Sequence, residues 1–213
     1  MIYVFLANGF EEIEALAPVD FLLRAGVNVK TVGVSGKFCR GAHGINVEAD
    51  ILLEDVVLDE NVQGIILPGG MPGAENLNNS EDVQKAIDYC AEKGKILGAI
   101  CAAPFILGRK GLLKSKNATC FPGFEDELDG ASLVESGVII EQIAAPNSHA
   151  TPAPLAVTIL PSIITPLSTR LAPSNSSSNP GKQVAFLPFK RPFLPKIKGA
   201  AQIAPRIFPF SAQ

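Results

Sequence analysis

The chain has 213 residues, a formal net charge of -3 and 47% hydrophobic content, enough to bury the core of one α/β domain of ordinary size. That weak charge suggests neither a nucleic acid nor a membrane surface as partner, no run of 18 apolar residues suits a transmembrane helix, and Met1 runs into Ile2-Tyr3-Val4 without a basic leader. Cys39, Cys90, Cys101 and Cys120 form no Cys-x-x-Cys pair and no metal-ligand spacing, so the expectation is a soluble, cytoplasmic protein with free thiols and no metal site.

Ile2 to Ala7 is a short run of β-formers, followed by a turn at Asn8-Gly9. A helix follows over Glu11 to Ala25, where Ile13, Leu16, Val19, Leu22 and Leu23 recur at helical spacing. Val27 to Val34 reads as a second strand and Ile45 to Asp50 as an extended segment. Gly64 to Leu67 is a buried strand stopped by Pro68-Gly69-Gly70. Ser80 caps a helix running to about Lys93, with Glu81 and Asp82 favourably placed in its first turn. Lys95 to Ile100 is another buried strand, and Ala102 to Leu107 opens the next helix. Strands alternating with helices on short loops predict a parallel sheet covered on both faces, with a site at the carboxyl ends of its strands.

After Ile140 this order ends. Residues 141–213 hold 12 of the 17 prolines and a Ser-Asn run at 174–179, and they carry 7 Lys+Arg against one Asp+Glu, where residues 1–140 carry 11 against 20. The chain therefore divides into a truncated domain, 1–140, and a Pro-rich tail, 141–213, expected to be disordered. Pairing position i with position 303 minus i exposes a substitution rule: Gly faces Pro, Val faces Thr, Ala faces Ala, Ile faces Ile, and Cys faces Gln. This is the genetic code read on the opposite strand, one base out of frame. Gly98-Ala99-Ile100-Cys101-Ala102-Ala103-Pro104 becomes Gly199-Ala200-Ala201-Gln202-Ile203-Ala204-Pro205. From Ile163 to Gln213 the rule holds at 50 of 51 positions, failing only at Pro188 against Ser115, and it places a stop codon after Gln213. The tail thus reads as antisense translation of the same gene. Run in reverse from Ser162 to Ala150, the rule decodes Asp-Gly-Asn-Ile-Val-Thr-Ala-Arg-Gly-Ala-Gly-Val-Ala.

Three segments of the domain carry chemistry. Gly98-Ala99-Ile100-Cys101-Ala102-Ala103-Pro104 puts a cysteine where a buried strand ends and a helix begins, with small neighbours that allow a sharp turn. A helix N-terminus beside Cys101 lowers its pKa and raises its nucleophilicity, against the plain alternative of a buried inert thiol. Gly9-Phe10-Glu11-Glu12-Ile13-Glu14-Ala15 sets three carboxylates at a strand-to-helix junction, where Glu11 and Glu12 also suit simple first-turn roles. Leu67-Pro68-Gly69-Gly70-Met71-Pro72-Gly73 offers backbone N–H groups bare of side chains, with Gly73 serving as turn punctuation. Cys39, Cys90 and Cys120 have no partner pattern and read as packing residues. His149 lies in the tail, which leaves His43 as the one histidine of the domain.

In order, spacing and sequence these segments resemble the DJ-1/PfpI superfamily, specifically its DJ-1-like branch, across residues 1–140. The resemblance implies a flavodoxin-like, doubly wound parallel sheet, akin to class I glutamine amidotransferases, with its C-terminal strand and helix missing. The decoded tail segment resembles the family's late strand and Gly-rich turn. The family's nucleophile falls on Cys101 and its acidic partner on Glu14, while its paired oxyanion donors fall on Gly69 and Gly70. His43 lies in a segment, Gly41 to Asp50, that approaches the site in the family, where it either touches substrate or stays a solvated loop residue. Some relatives place a histidine near the thiol where this chain has Phe121, which argues against a Cys-His dyad.

The activity implied is cofactor-free attack of the Cys101 thiolate on a reactive aldehyde such as glyoxal or methylglyoxal, or on a glycated adduct, in the manner of a glyoxalase III or deglycase. Glu14 moves the proton, and water releases a 2-hydroxy acid. The alternatives are an oxidative-stress sensor or chaperone-like protein acting through a Cys101 sulfinate, and a thiol amidase or protease. A homodimer is the family's expected assembly. Replacing the last strand and helix by the tail should expose apolar sheet surface, remove part of the site's wall and destabilise the chain.

Overall fold

The computed structural model describes residues 1–142 and 155–159. Two compact units divide the chain, Met1–Ala172 and Pro173–Gln213, and the second lies outside the described residues. In the first unit Ile2–Leu6 forms β1, buried along its whole length, as a run of β-formers covered on both faces should be. Its side chains alternate between two cores: Tyr3 and Phe5 face one, and Ile2, Val4 and Leu6 face the other. α1 (Glu12–Arg24) follows, with Glu11 at its N-cap accepting the Glu14 N–H at 2.7 Å. Next come β2 (Val29–Gly33), the hairpin of β3 (Phe38–Arg40) and β4 (Asn46–Glu48), and β5 (Ile51–Leu52). β6 (Gly64–Leu67) leads to α2 (Gly73–Asn78) and α3 (Glu81–Glu92), the latter capped by the Ser80 hydroxyl. β7 (Ile96–Ile100) leads to α4 (Pro104–Arg109), and β8 (Asn117–Ala118), β9 (Ser132–Leu133), β10 (Val138–Gln142) and β11 (Leu155–Ile159) complete the described strands.

Among the described residues the central sheet has seven strands, in the order β10-β11-β7-β6-β1-β2-β5. Every neighbouring pair is parallel except β10 with β11. The winding reverses between β1 and β6, and at such a switch point the loops leaving the carboxyl ends of neighbouring strands open a crevice. α1 covers one face through Ala15, Val19 and Leu22, and α3 covers the other through Val83, Ala86 and Ile87. This is the doubly wound α/β fold expected from the alternation of elements. Among the described residues no helix is long and apolar enough to cross a membrane.

Four details differ from the sequence reading. Ile13, Leu16 and Leu23 of the α1 stripe are substantially exposed, because only part of that face reaches the sheet. The extended segment at 45–50 joins the separate β3–β4 hairpin. α4 starts at Pro104 rather than Ala102, since residues 101–103 form the turn. The expectation of a tail without regular structure from residue 141 does not hold at Leu155–Ile159, which enters the sheet between β10 and β7. Leu-Ala-Val-Thr-Ile has strong β character, and two strand edges are paired by inserting it. The other tail expectations, including the sites of His149 and Gln202, lie outside the described residues.

Candidate active site

β7 delivers Cys101 directly into a turn, where its φ is 62°. A non-glycine residue in this left-handed region costs on the order of 1 kcal/mol and persists only where its surroundings over-determine it. The turn is gripped on both sides. The Ile100 carbonyl accepts the Ala103 N–H at 3.0 Å, and the Cys101 carbonyl accepts the Phe121 N–H at 2.7 Å. The strand–elbow–helix placement read from the sequence is therefore present, with the helix beginning three residues later.

Glu14, on the first turn of α1 after β1, is 2% exposed and reaches the same point across the end of β6. Its Oε2 accepts the Gly69 N–H at 3.0 Å, and its carboxyl is hydrogen-bonded to the Cys101 thiol. No side chain fits at position 69: a Cβ there would lie 2.6 Å from both the Cys101 Cβ and Glu14 Oε2. Gly70 has a φ of 85°, which only glycine adopts without strain, and its N–H points at the Cys101 sulfur together with that of Ala102.

Burial pushes the Glu14 carboxyl up to about 7, with the charge of Glu11 adding to the effect and the hydrogen bonds to Cys101 and Gly69 opposing it. Burial also pushes the Cys101 thiol up to about 12, reinforced by the neighbouring Glu14, while the N–H groups of Ala102 and Gly70 pull the other way. The expectation of a thiol acidified by a helix N-terminus is thus corrected. α4 starts too late, and a desolvated sulfur beside a carboxylate holds its proton. Near neutral pH Glu14 is therefore divided between carboxyl and carboxylate, while the thiol beside it stays protonated.

The two glycines also divide their work differently from the sequence expectation. The Gly69 N–H is committed to Glu14, whereas the N–H groups of Gly70 and Ala102 gather around the sulfur. Sequence reasoning named Gly69 and Gly70 and missed Ala102, whose N–H direction is a property of the turn and leaves no mark in residue type.

His43 does not join Cys101. It is exposed, and its Nδ1 lies 2.8 Å from Oε2 of Glu12, which is 4% exposed. The other Glu12 oxygen accepts the His43 N–H at 2.8 Å, and the loop is docked further by the Ala42 N–H on the Phe10 carbonyl at 2.8 Å. Burial raises the Glu12 carboxyl, but its hydrogen bonds from His43 and Ile45 outweigh this and hold it below the usual range, while the same pairing raises His43. Glu12 is therefore the anchor of the 41–45 loop rather than a simple first-turn carboxylate. Among the described residues Glu11, Glu12 and His43 alone bring three metal-ligand atoms within 4.8 Å of one another.

Cys39, Cys90 and Cys120 are buried, and burial raises each of them, Cys90 to about 12 and Cys120 to about 11, in keeping with packing roles. A cavity of about 630 Å³ is lined by Thr119, Cys120, Pro122, Leu133 and Glu135 among others, beside the segment that grips the Cys101 turn.

Residues 1–154 match the DJ-1/PfpI family. The chain is 35% identical over 127 residues to the Parkinson disease protein 7 homolog of Danio rerio, covering 59% of this chain and 67% of that one. It is 36% identical over 142 residues to protein DJ-1 homolog A of Arabidopsis thaliana, covering 66% of this chain but only 36% of that longer relative, so it spans about a third of that protein. A deglycase of Pyrococcus abyssi is 29% identical over 142 residues, covering 66% of this chain and 84% of that one. Among solved structures, oxidized Toxoplasma gondii DJ-1 superposes with a TM-score of 0.64 at 32% identity, covering 75% of this chain and 80% of that one. Drosophila melanogaster DJ-1beta gives 0.63 at 25% identity with the same coverages. With a cysteine elbow, a buried glutamate and a paired-glycine loop meeting at the switch point of a parallel sheet, and with this match across most of its length, the chain belongs to the DJ-1/PfpI family.

Proposed function

We propose that this protein is a cofactor-free, cysteine-dependent enzyme acting on small reactive aldehydes of the glyoxal and methylglyoxal type. The observation that carries this reading is the Glu14 carboxyl held between the Gly69 N–H and the Cys101 thiol. The thiol sulfur attacks the aldehyde carbon of methylglyoxal, Glu14 takes the thiol proton, and the new oxyanion is stabilised by the Gly70 and Ala102 N–H groups before it is protonated to a hemithioacetal. Glu14 then moves the proton from the former aldehyde carbon to the neighbouring carbon as the pair rearranges to a thioester. Water breaks the C–S bond, giving lactate and the free thiol. Hydrogen and oxygen balance with one water added, and no external oxidant or reductant enters.

The deglycase named among the relatives supports the same substrate chemistry, with glycated adducts as a second source of the carbonyl. The test is lactate formation from methylglyoxal by the wild type, Cys101→Ser and Glu14→Gln. Loss of activity in both variants is the expected result, and equal rates in all three would sink the reading. The competing role, a redox sensor, draws on one fact: of the four cysteines, Cys101 is half-buried and the other three are buried. Peroxide treatment that adds two oxygens to Cys101 in a protein without turnover would favour it. The homodimer remains part of the proposal, supported by the exposed Ile13, Phe21 and Leu23 of α1, and sedimentation tests it.

A further inference from the structure

Thr158 is 1% exposed and lies on β11 in register with Ala99 of β7, two residues before the nucleophile. Its hydroxyl oxygen accepts the backbone N–H of Thr119 at 3.2 Å, in the interior. Thr119 opens the segment Thr119-Cys120-Phe121, and the Phe121 N–H at its other end donates to the Cys101 carbonyl at 2.7 Å. β11 thus borders both the strand that carries Cys101 and the segment that grips its turn. Thr119 is itself 5% exposed, so removing the hydroxyl would leave a buried backbone donor unpaired. The Cys101 turn, at a φ of 62°, depends on such outside contacts to stay in place.

We propose that Thr158 is a positioning residue for the nucleophile, its hydroxyl fixing residues 119–121 and through them the strained turn at Cys101. A single side chain from the part of the chain beyond residue 154 then reaches the reactive thiol without touching substrate. The inference stands apart from the aldehyde chemistry, because it is read on the thiol itself.

The test is alkylation of Cys101 by iodoacetamide across pH in the full 213-residue chain, followed by peptide mass, with buried Cys90 as the internal reference. Thr158→Val keeps the shape and loses the acceptor; Thr158→Ser keeps the acceptor and loses the methyl group. A loosened turn admits water to a thiol that burial holds protonated. Thr158→Val is therefore expected to lower the midpoint of Cys101 alkylation by about one pH unit and speed the reaction roughly tenfold at fixed pH. Cys90 should stay unreactive, and Thr158→Ser should keep the wild-type profile. A wild-type profile in Thr158→Val, or an equal shift in Thr158→Ser, would overturn the proposal. If Thr158→Val exposes Cys90, the fold has been lost and Thr158→Ser decides alone: the wild-type profile supports the role, and a shifted one overturns it.

Discussion

Replacing Glu14 by Gln should stabilise the protein above neutral pH while removing its proposed base. The side chain is 2% exposed and its carboxyl is held up at about 7 from an ordinary 4.5. A carboxyl raised in the folded state favours the protonated form there, so its contribution to stability is fully present below the unfolded value and is lost as pH rises through the folded one. Carrying the group from 4.5 to about 7 corresponds to about 3 kcal/mol in all. About 2 kcal/mol of that falls between pH 5.5 and 8.5. The amide of Gln accepts the Gly69 N–H as the carboxylate does, and it carries no charge to desolvate. Urea denaturation of wild type and Glu14→Gln at pH 5.5 and 8.5 measures the effect. The variant should gain about 2 kcal/mol relative to wild type on going to the higher pH. A gap that stays constant between the two pH values would show that Glu14 is not a buried carboxyl of raised pKa, and the assignment of Glu14 as a base poised near neutrality would fall with it.

The same value sets a kinetic expectation: lactate formation by the wild type should rise with pH around a midpoint of about 7, because below it Glu14 carries a proton and cannot accept one, and Glu14→Gln should lack this limb. Gly69→Ala drives a Cβ to 2.6 Å from the Cys101 Cβ and Glu14 Oε2, so it should cost about 1–3 kcal/mol by overpacking and abolish turnover, read by thermal unfolding and by the lactate assay. Removing the ring in His43→Ala should lower the melting temperature more at pH 6 than at pH 9. The raised His43 contributes stability below its unfolded value that is lost as pH rises through its folded value, and the lowered Glu12 contributes above its ordinary value, so the pair is worth most between the two. For the tail we propose an origin in the opposite strand of the same gene; the nucleotide sequence of the locus should contain an inverted repeat covering the codons of residues 90–140, and codons without one would end that idea.

The parallel core was legible because its residues obey simple periods. β6 and β7 are short apolar runs ended by Pro68 and by the Cys101 turn, and Ser80 marks the start of α3 by its own hydrogen bond. Cys101 and Glu14 were legible as neighbours of strand ends, since a doubly wound sheet brings such ends together. The direction of a backbone N–H was not, because it depends on dihedral angles that residue names do not carry: the N–H of Gly69 turns to Glu14 while those of Gly70 and Ala102 face the sulfur. Glu12 and His43 meet across 31 residues, and only the fold of the 41–45 loop joins them.

β11 escaped for a different reason. Its five residues lie between Pro154 and Pro161, and the strand has neighbours on both edges in the sheet, so its surroundings read as tail and its own pattern lacks a long period. On the opposite-strand origin proposed for the tail, Val and Thr exchange while their order reverses, so Val-Thr returns as Val-Thr, and Ile and Ala each return as themselves. The decoded Ile-Val-Thr-Ala therefore comes back as Ala156-Val157-Thr158-Ile159, with its β-branched centre intact. By the same exchange the hydroxyl that accepts the Thr119 N–H, that of Thr158, stands where the opposite strand reads a Val codon. An inverted segment can keep a strand-forming centre through this symmetry of the code, and no residue periodicity registers it.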